Sequence, residues 1–177
     1  MFRKSVILMA LCVAVLSSTA AAAPSANLND LLAAYKGEKN AQVRYVLFAQ
    51  QADKEGYKGA ASLFRAIARA EQVHYENNAI SIKKLGGAAN AKMETPVVKS
   101  TKENLEAALK DKSQKGEGKV EAIHAKLLKK ALDNLEAWKA QKKDFFVCLV
   151  CGNVTEDKAP AICPICGAPK EKFTAVN

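Results

Sequence analysis

Each of the two histidines in the chain follows a glutamate by three positions, as Glu71-Gln-Val-His74 and Glu121-Ala-Ile-His124. Residues at i and i+3 share a helix face, so the two side chains of each pair point the same way. In residues 59–85, Leu63, Phe64, Ile67, Ala70, His74 and Ile82 recur at helical steps, and Glu71 lies on the same stripe as Ile67 and His74. The second pair repeats the pattern with Glu121, His124, Leu128, Ala131, Leu135 and Trp138. A carboxylate on a stripe that must be buried is costly unless it is paired or bound to a metal. Helical bundles aim such Glu-x-x-His pairs inward to hold two iron or manganese ions. Glu71, His74, Glu121 and His124 are therefore candidate ligands. The alternative is a Glu and a His making ordinary hydrogen bonds at the edge of an apolar face.

The first residues read as a leader and not as part of the fold. Arg3 and Lys4 precede an apolar run over residues 5–16, followed by small residues up to Ala23 and Pro24. This is the three-part pattern of a secretory signal peptide, assigned to residues 1–22, and it predicts an exported, periplasmic protein with no membrane association after cleavage. The apolar run is too short to span a bilayer comfortably. Cys12 lies inside the run after Leu11, which argues against lipid attachment. The net charge of +9 falls by two without Arg3 and Lys4. The remaining lysines are scattered over helix faces without interleaved aromatics, so they read as solvated faces and not as a nucleic-acid site.

About 155 residues remain, enough for one helical domain over residues 27–140 and a very small one over residues 144–177. Four helices are predicted: residues 27–54, with Leu28, Leu31, Tyr35, Glu38, Gln42, Tyr45, Ala49 and Ala52 on one stripe; 57–85; a short 101–113 capped by Ser100 or Thr101; and 119–139. Residues 88–100 read as a crossover. The two halves are related: residues 31–38 can be laid over 105–112 at an offset of 74, whereas His74 and His124 differ by only 50, so the second half is shorter by 24 residues.

Cys148, Cys151, Cys163 and Cys166 form two Cys-x-x-Cys-Gly knuckles. Each turn presents two thiolates, and the following glycine supplies the positive φ the turn needs. Two knuckles suit one tetrahedral ion, with two disulfides the lesser alternative for an exported chain. Four thiolates suit iron and zinc alike.

Taken together, the chain resembles a rubrerythrin. The resemblance rests on Tyr35-Lys-Gly-Glu38-Lys-Asn-Ala-Gln-Val-Arg44-Tyr45, Glu55-Gly-Tyr57, Ala70-Glu71-Gln-Val-His74, Ser100-Thr-Lys-Glu-Asn-Leu105, Glu121-Ala-Ile-His124-Ala125 and the segment from Cys148 to Phe173. It implies a mainly α protein, a ferritin-like helical bundle followed by a rubredoxin-like module, that reduces hydrogen peroxide at a di-iron centre with electrons relayed from one iron on four cysteines. Iron is then favoured over zinc at Cys148, Cys151, Cys163 and Cys166. By position, Glu38, Glu71, His74, Glu121 and His124 would be di-iron ligands, and Tyr45, on the face of Glu38, a hydrogen-bond donor to them.

The departures matter as much. The family's third helix supplies carboxylates where this chain has Lys112 and Lys115, and most of that helix is missing. A lysine beside two cations is repelled, so neither residue can replace a lost ligand. A homodimer offers a repair, in which Glu38, Glu71 and His74 from each of two chains surround two ions and each apolar stripe covers the other. Glu121 and His124 would then be relics or a weaker second site. The resulting expectation is a periplasmic peroxide reductase with an unknown periplasmic electron donor. Two rivals are an electron-transfer protein relying on the four cysteines and an iron-binding protein that stores without turnover.

Overall fold

The computed structural model describes residues 27–114 and 118–177, which leaves the expected leader and Lys115 outside the described residues. Helix α1 (Leu28–Lys54) starts at Asn27, whose side chain accepts the Asp30 N–H at 2.9 Å. It ends at Gly56, where a φ of 82° reverses the chain into α2 (Lys58–Lys84). An irregular crossover then leads to the short α3 (Thr101–Gln114). Ser100 is its cap: the Ser100 N–H donates to Glu103 Oε2 at 3.3 Å, and the Glu103 N–H donates back to Ser100 Oγ at 3.4 Å. The Thr101 N–H goes instead to Glu55 Oε2, at 2.8 Å.

Helix α4 (Lys119–Asp133) stops six residues short of the expected end. Asn134 ends it, because its amide turns back onto the Lys130 carbonyl at 2.8 Å. The chain then makes a 3₁₀ turn, Glu136–Trp138, that lays Trp138 against Gly59 of α2. Among the described residues, no helix is long and apolar enough to cross a membrane.

Three antiparallel strands follow, β1 (Phe145–Cys148), β2 (Val154–Glu156) and β3 (Phe173–Val176), in the order β2-β1-β3. They are not a separate bead on a linker. Trp138, Phe145, Val147 and Val154 join the same buried cluster as Tyr45, Phe48, Leu63, Phe64 and Ile67. Phe48, which the predicted α1 stripe omits, stacks its edge on Tyr45 and Phe64 with ring centroids 6.1 and 5.4 Å apart. The stripe of α2 is thus covered by the chain's own later elements, and covering it needs no second copy.

Candidate metal centres

The sheet brings Cys148 to the end of β1, and the two knuckles face each other across one point. Cys148 Sγ lies 3.7 Å from Cys166 Sγ, and Cys151 Sγ lies 3.7 Å from Cys163 Sγ. A tetrahedron with metal–sulfur bonds of about 2.3 Å has edges of about 3.8 Å, whereas a disulfide holds its sulfurs about 2.05 Å apart. All four cysteines are free. The donor set and its spacing fit one thiolate-bound iron, and the disulfide alternative is excluded.

Burial raises the Cys163 thiol, but the backbone N–H groups of Cys166 and Ile165 outweigh it and bring it down to about 7. The buried Asn153 amide adds a longer contact to Cys163 Sγ, at 3.8 Å. Of the four ligands, Cys166 is exposed, while Cys151 belongs to the turn facing the bundle.

That turn rests on the second candidate centre. Val150, Cys151 and Gly152 present three consecutive carbonyls, which meet Asn77 Nδ2 at 3.0 Å, His74 Nε2 at 3.1 Å and His124 Nε2 at 3.1 Å. Gly152 permits this approach twice over: its φ is 76°, and a Cβ there would collide with His74 Nε2. With Nε2 of each ring at a carbonyl, the Nδ1 atoms face the carboxylates. His74 Nδ1 lies 3.5 Å from Glu71 Oε2 and 3.7 Å from Glu121 Oε1, and His124 Nδ1 lies 3.5 Å from Glu121 Oε2.

Glu38, Glu71, His74 and Glu121 each offer a ligand atom within 4.8 Å of the others, all inside one chain. The dimeric arrangement that would make Glu121 a relic is not needed for this set, because Glu121 completes it. His124 stands just outside, against the far oxygen of Glu121. Among the described residues, the buried Tyr45 hydroxyl makes no hydrogen bond to the carboxylates, and burial raises its pKa.

The residue that sequence reasoning set aside is the one that fills the centre. Lys112 is fully buried, with its ammonium on Glu71 Oε1 and 2.5 Å from Glu121 Oε2. Burial pulls its pKa down, but Glu71, Tyr45 and Glu121 outweigh this and raise it, so it stays charged. Two metal ions would repel the ammonium; with carboxylates as its neighbours the charge is welcome. The signal was present in the repeat, since Lys112 is the counterpart of Glu38 at the offset of 74.

The other shifts follow. Burial raises Glu38 to about 8, helped by the neighbouring Glu71 carboxylate, so it holds a proton at neutral pH. Burial also raises Glu71 and Glu121, but His74 and Lys112 outweigh it for Glu71, and His124 and Lys112 for Glu121, leaving Glu71 well below the usual range and Glu121 at about 2. His74 is lowered by burial yet raised overall by Glu71.

The comparisons with known proteins agree with this architecture. The rubrerythrin family matches residues 29–118, and the rubredoxin-like domain of rubrerythrin matches residues 146–174. Rubrerythrin-2 of Clostridium acetobutylicum is 30% identical over 82% of this chain and 94% of its own length. Nigerythrin of Nitratidesulfovibrio vulgaris is 27% identical over 86% and 88%. A solved structure of nigerythrin in its fully reduced, all-ferrous state superposes with a TM-score of 0.73 at 25% identity, covering 90% of this chain and 91% of that one. This chain belongs to the rubrerythrin family.

Proposed function

We propose that this protein is an exported peroxide reductase, in which a thiolate-bound iron at Cys148, Cys151, Cys163 and Cys166 feeds electrons to the carboxylate–histidine centre of the bundle. One observation carries the reading: the Cys151–Gly152 turn is hydrogen-bonded directly to the Nε2 atoms of His74 and His124, whose Nδ1 atoms face the carboxylates. A redox iron and a peroxide-reactive centre need such a short, rigid connection, and here it lies within one chain.

Iron, once held by the four cysteines and by the carboxylate–histidine cluster, would supply the electrons; conversion of hydrogen peroxide to two waters takes two electrons and two protons. The chain's own groups do the rest. Cys166, on the exposed side of the four-sulfur site, is where electrons from an external donor enter, and Cys151 is on the side where they leave for the bundle. Glu38, only partly buried, lies on the accessible side of the cluster, where peroxide can approach, whereas Glu71 and His124 are fully enclosed. A homodimer is compatible with this scheme but supplies none of these groups.

The test is oxidation of the anaerobically reduced, iron-loaded protein by hydrogen peroxide, followed through the visible absorption of the ferric thiolate site. The intact protein should be oxidised at a rate proportional to peroxide, and a Glu71→Ala variant should lose about tenfold or more of that rate. If the variant reoxidises as fast as its parent, the chain is an electron carrier whose bundle takes no part. The ammonium of Lys112 inside the cluster is the observation that favours this second reading.

A further inference from the structure

The two bridging carboxylates divide their oxygens between two places. Glu71 Oε2 and Glu121 Oε1 turn toward His74 Nδ1, on the side of Glu38. Glu71 Oε1 and Glu121 Oε2 turn the other way, toward Lys112 Nζ, with His124 Nδ1 alongside at 3.5 Å from Glu121 Oε2. Each half has one histidine and one oxygen from each bridging carboxylate. The first half adds Glu38, a carboxylate; the second adds Lys112, a cation, from the equivalent position of the internal repeat.

We infer that the Lys112 ammonium takes the place of the second metal ion, so that the bundle of each chain holds a single divalent iron, on Glu38, Glu71, His74 and Glu121. Charge leads to the same count. The cluster has three carboxylates, and one ammonium with one divalent ion balances their three negative charges. A second divalent ion would leave two positive charges uncompensated among buried groups and would have to occupy the space where the ammonium makes its two ion pairs. Lys112 comes from α3, whose neighbouring side chain Asp111 pairs with Arg44 of α1 at 2.6 Å, which fixes the helix that carries the lysine. The ammonium cannot snorkel to water, because the side chain is completely enclosed.

The inference deepens the proposed function and rests on it in one respect only. With one iron in the bundle and one on the four thiolates, a reduced chain stores two electrons, the number that one peroxide consumes. A coupled pair of irons would make this three.

The test is metal content and magnetism of the full mature chain, loaded anaerobically with excess ferrous iron and desalted. Two irons per chain are expected, with the bundle ferrous ion magnetically isolated by Mössbauer spectroscopy and by electron paramagnetic resonance of its nitric oxide adduct. Lys112→Glu, which restores a fourth carboxylate in place of the cation, should raise the content to three irons and produce a coupled pair. Three irons with a coupled pair in the unaltered protein would overturn the inference and leave the peroxide reading standing. One iron, on the thiolates alone, would overturn it as well, as would a folded Lys112→Glu protein that still binds two. If the unaltered protein binds two uncoupled irons and peroxide fails to oxidise either, the site assignment stands and the proposed function falls. The counts on the unaltered chain decide the matter even if Lys112→Glu does not fold.

Discussion

The first helical hairpin and the second are built to one plan and differ in length and in one charge. Helices α1 and α2 have 27 residues each, while α3 and α4 have 14 and 15. Both hairpins put a Glu-x-x-His pair on their second helix and a charged residue at the matching position of their first, Glu38 in one and Lys112 in the other. The 3₁₀ turn and the sheet pack Trp138, Phe145, Val147 and Val154 into the bundle core that both hairpins share. The terminal module meets both hairpins at the cluster, through His74 of one and His124 of the other, and the charge inversion lets the cluster balance with fewer metal ions.

Breaking the inverted charge should have the largest effect. In the metal-free protein, Lys112→Met leaves the fully buried Glu71 without its cation, a loss of about 3–5 kcal/mol for a broken buried pair. For a chain of this size that corresponds to a melting temperature lower by roughly 10 °C, and calorimetry measures it. The mirror change, Glu38→Gln, should cost under about 1 kcal/mol in the same assay, because Glu38 at about 8 already holds a proton at pH 7 and the amide replaces a neutral group. Equal losses at the two positions would show that the halves are not electrostatically distinct.

Next in size is the contact through which the first hairpin holds the module. Gly152→Ala puts a methyl group into His74 Nε2 and forces alanine into a φ of 76°. The expected cost is about 2 kcal/mol in denaturant unfolding, from strain and from the displaced hydrogen bonds of His74 and His124. The four-sulfur site keeps all its ligands, so its absorption spectrum should be unchanged while its oxidation by peroxide slows. An unaltered rate would mean that electrons do not pass through this turn.

Much of this was legible beforehand, and the failures have identifiable causes. Periodicity places all four helices because each must bury a stripe, and the Cys-x-x-Cys-Gly knuckles announce the four-sulfur site because turn geometry there is local. The end of α4 is hidden in the sequence because the stripe through Leu135 and Trp138 continues in a 3₁₀ turn, whose spacing resembles that of a helix over so few residues. The place of Lys112 is not legible locally, because the carboxylates that pair with it come from α2 and α4, 41 positions earlier and nine later. Asn77 follows His74 by one helical turn and could have been paired with it, but the carbonyl it meets lies 73 positions away.

The smallest effect concerns how the second hairpin holds the module. Where α2 holds the turn through part-buried His74 and exposed Asn77, and α4 through buried His124, α4 adds an exposed ion pair: Lys130 bonds Glu156 of β2, and Lys143 reaches the same carboxylate at 3.0 Å. Partial burial raises the Glu156 carboxyl, but Lys130 and Lys143 outweigh it and lower it below 4.5. A carboxyl depressed in the folded state stabilises the fold above its unfolded value and loses that contribution as pH falls through its folded value. Solvent screening of the half-exposed Lys130 limits the contribution to under about 1 kcal/mol. In the metal-free protein, the drop in stability below pH 4.5 should therefore be slightly shallower for Glu156→Gln than for the parent, with the difference shrinking in high salt. A salt-independent difference would mean that Glu156 acts through packing and not through its charge.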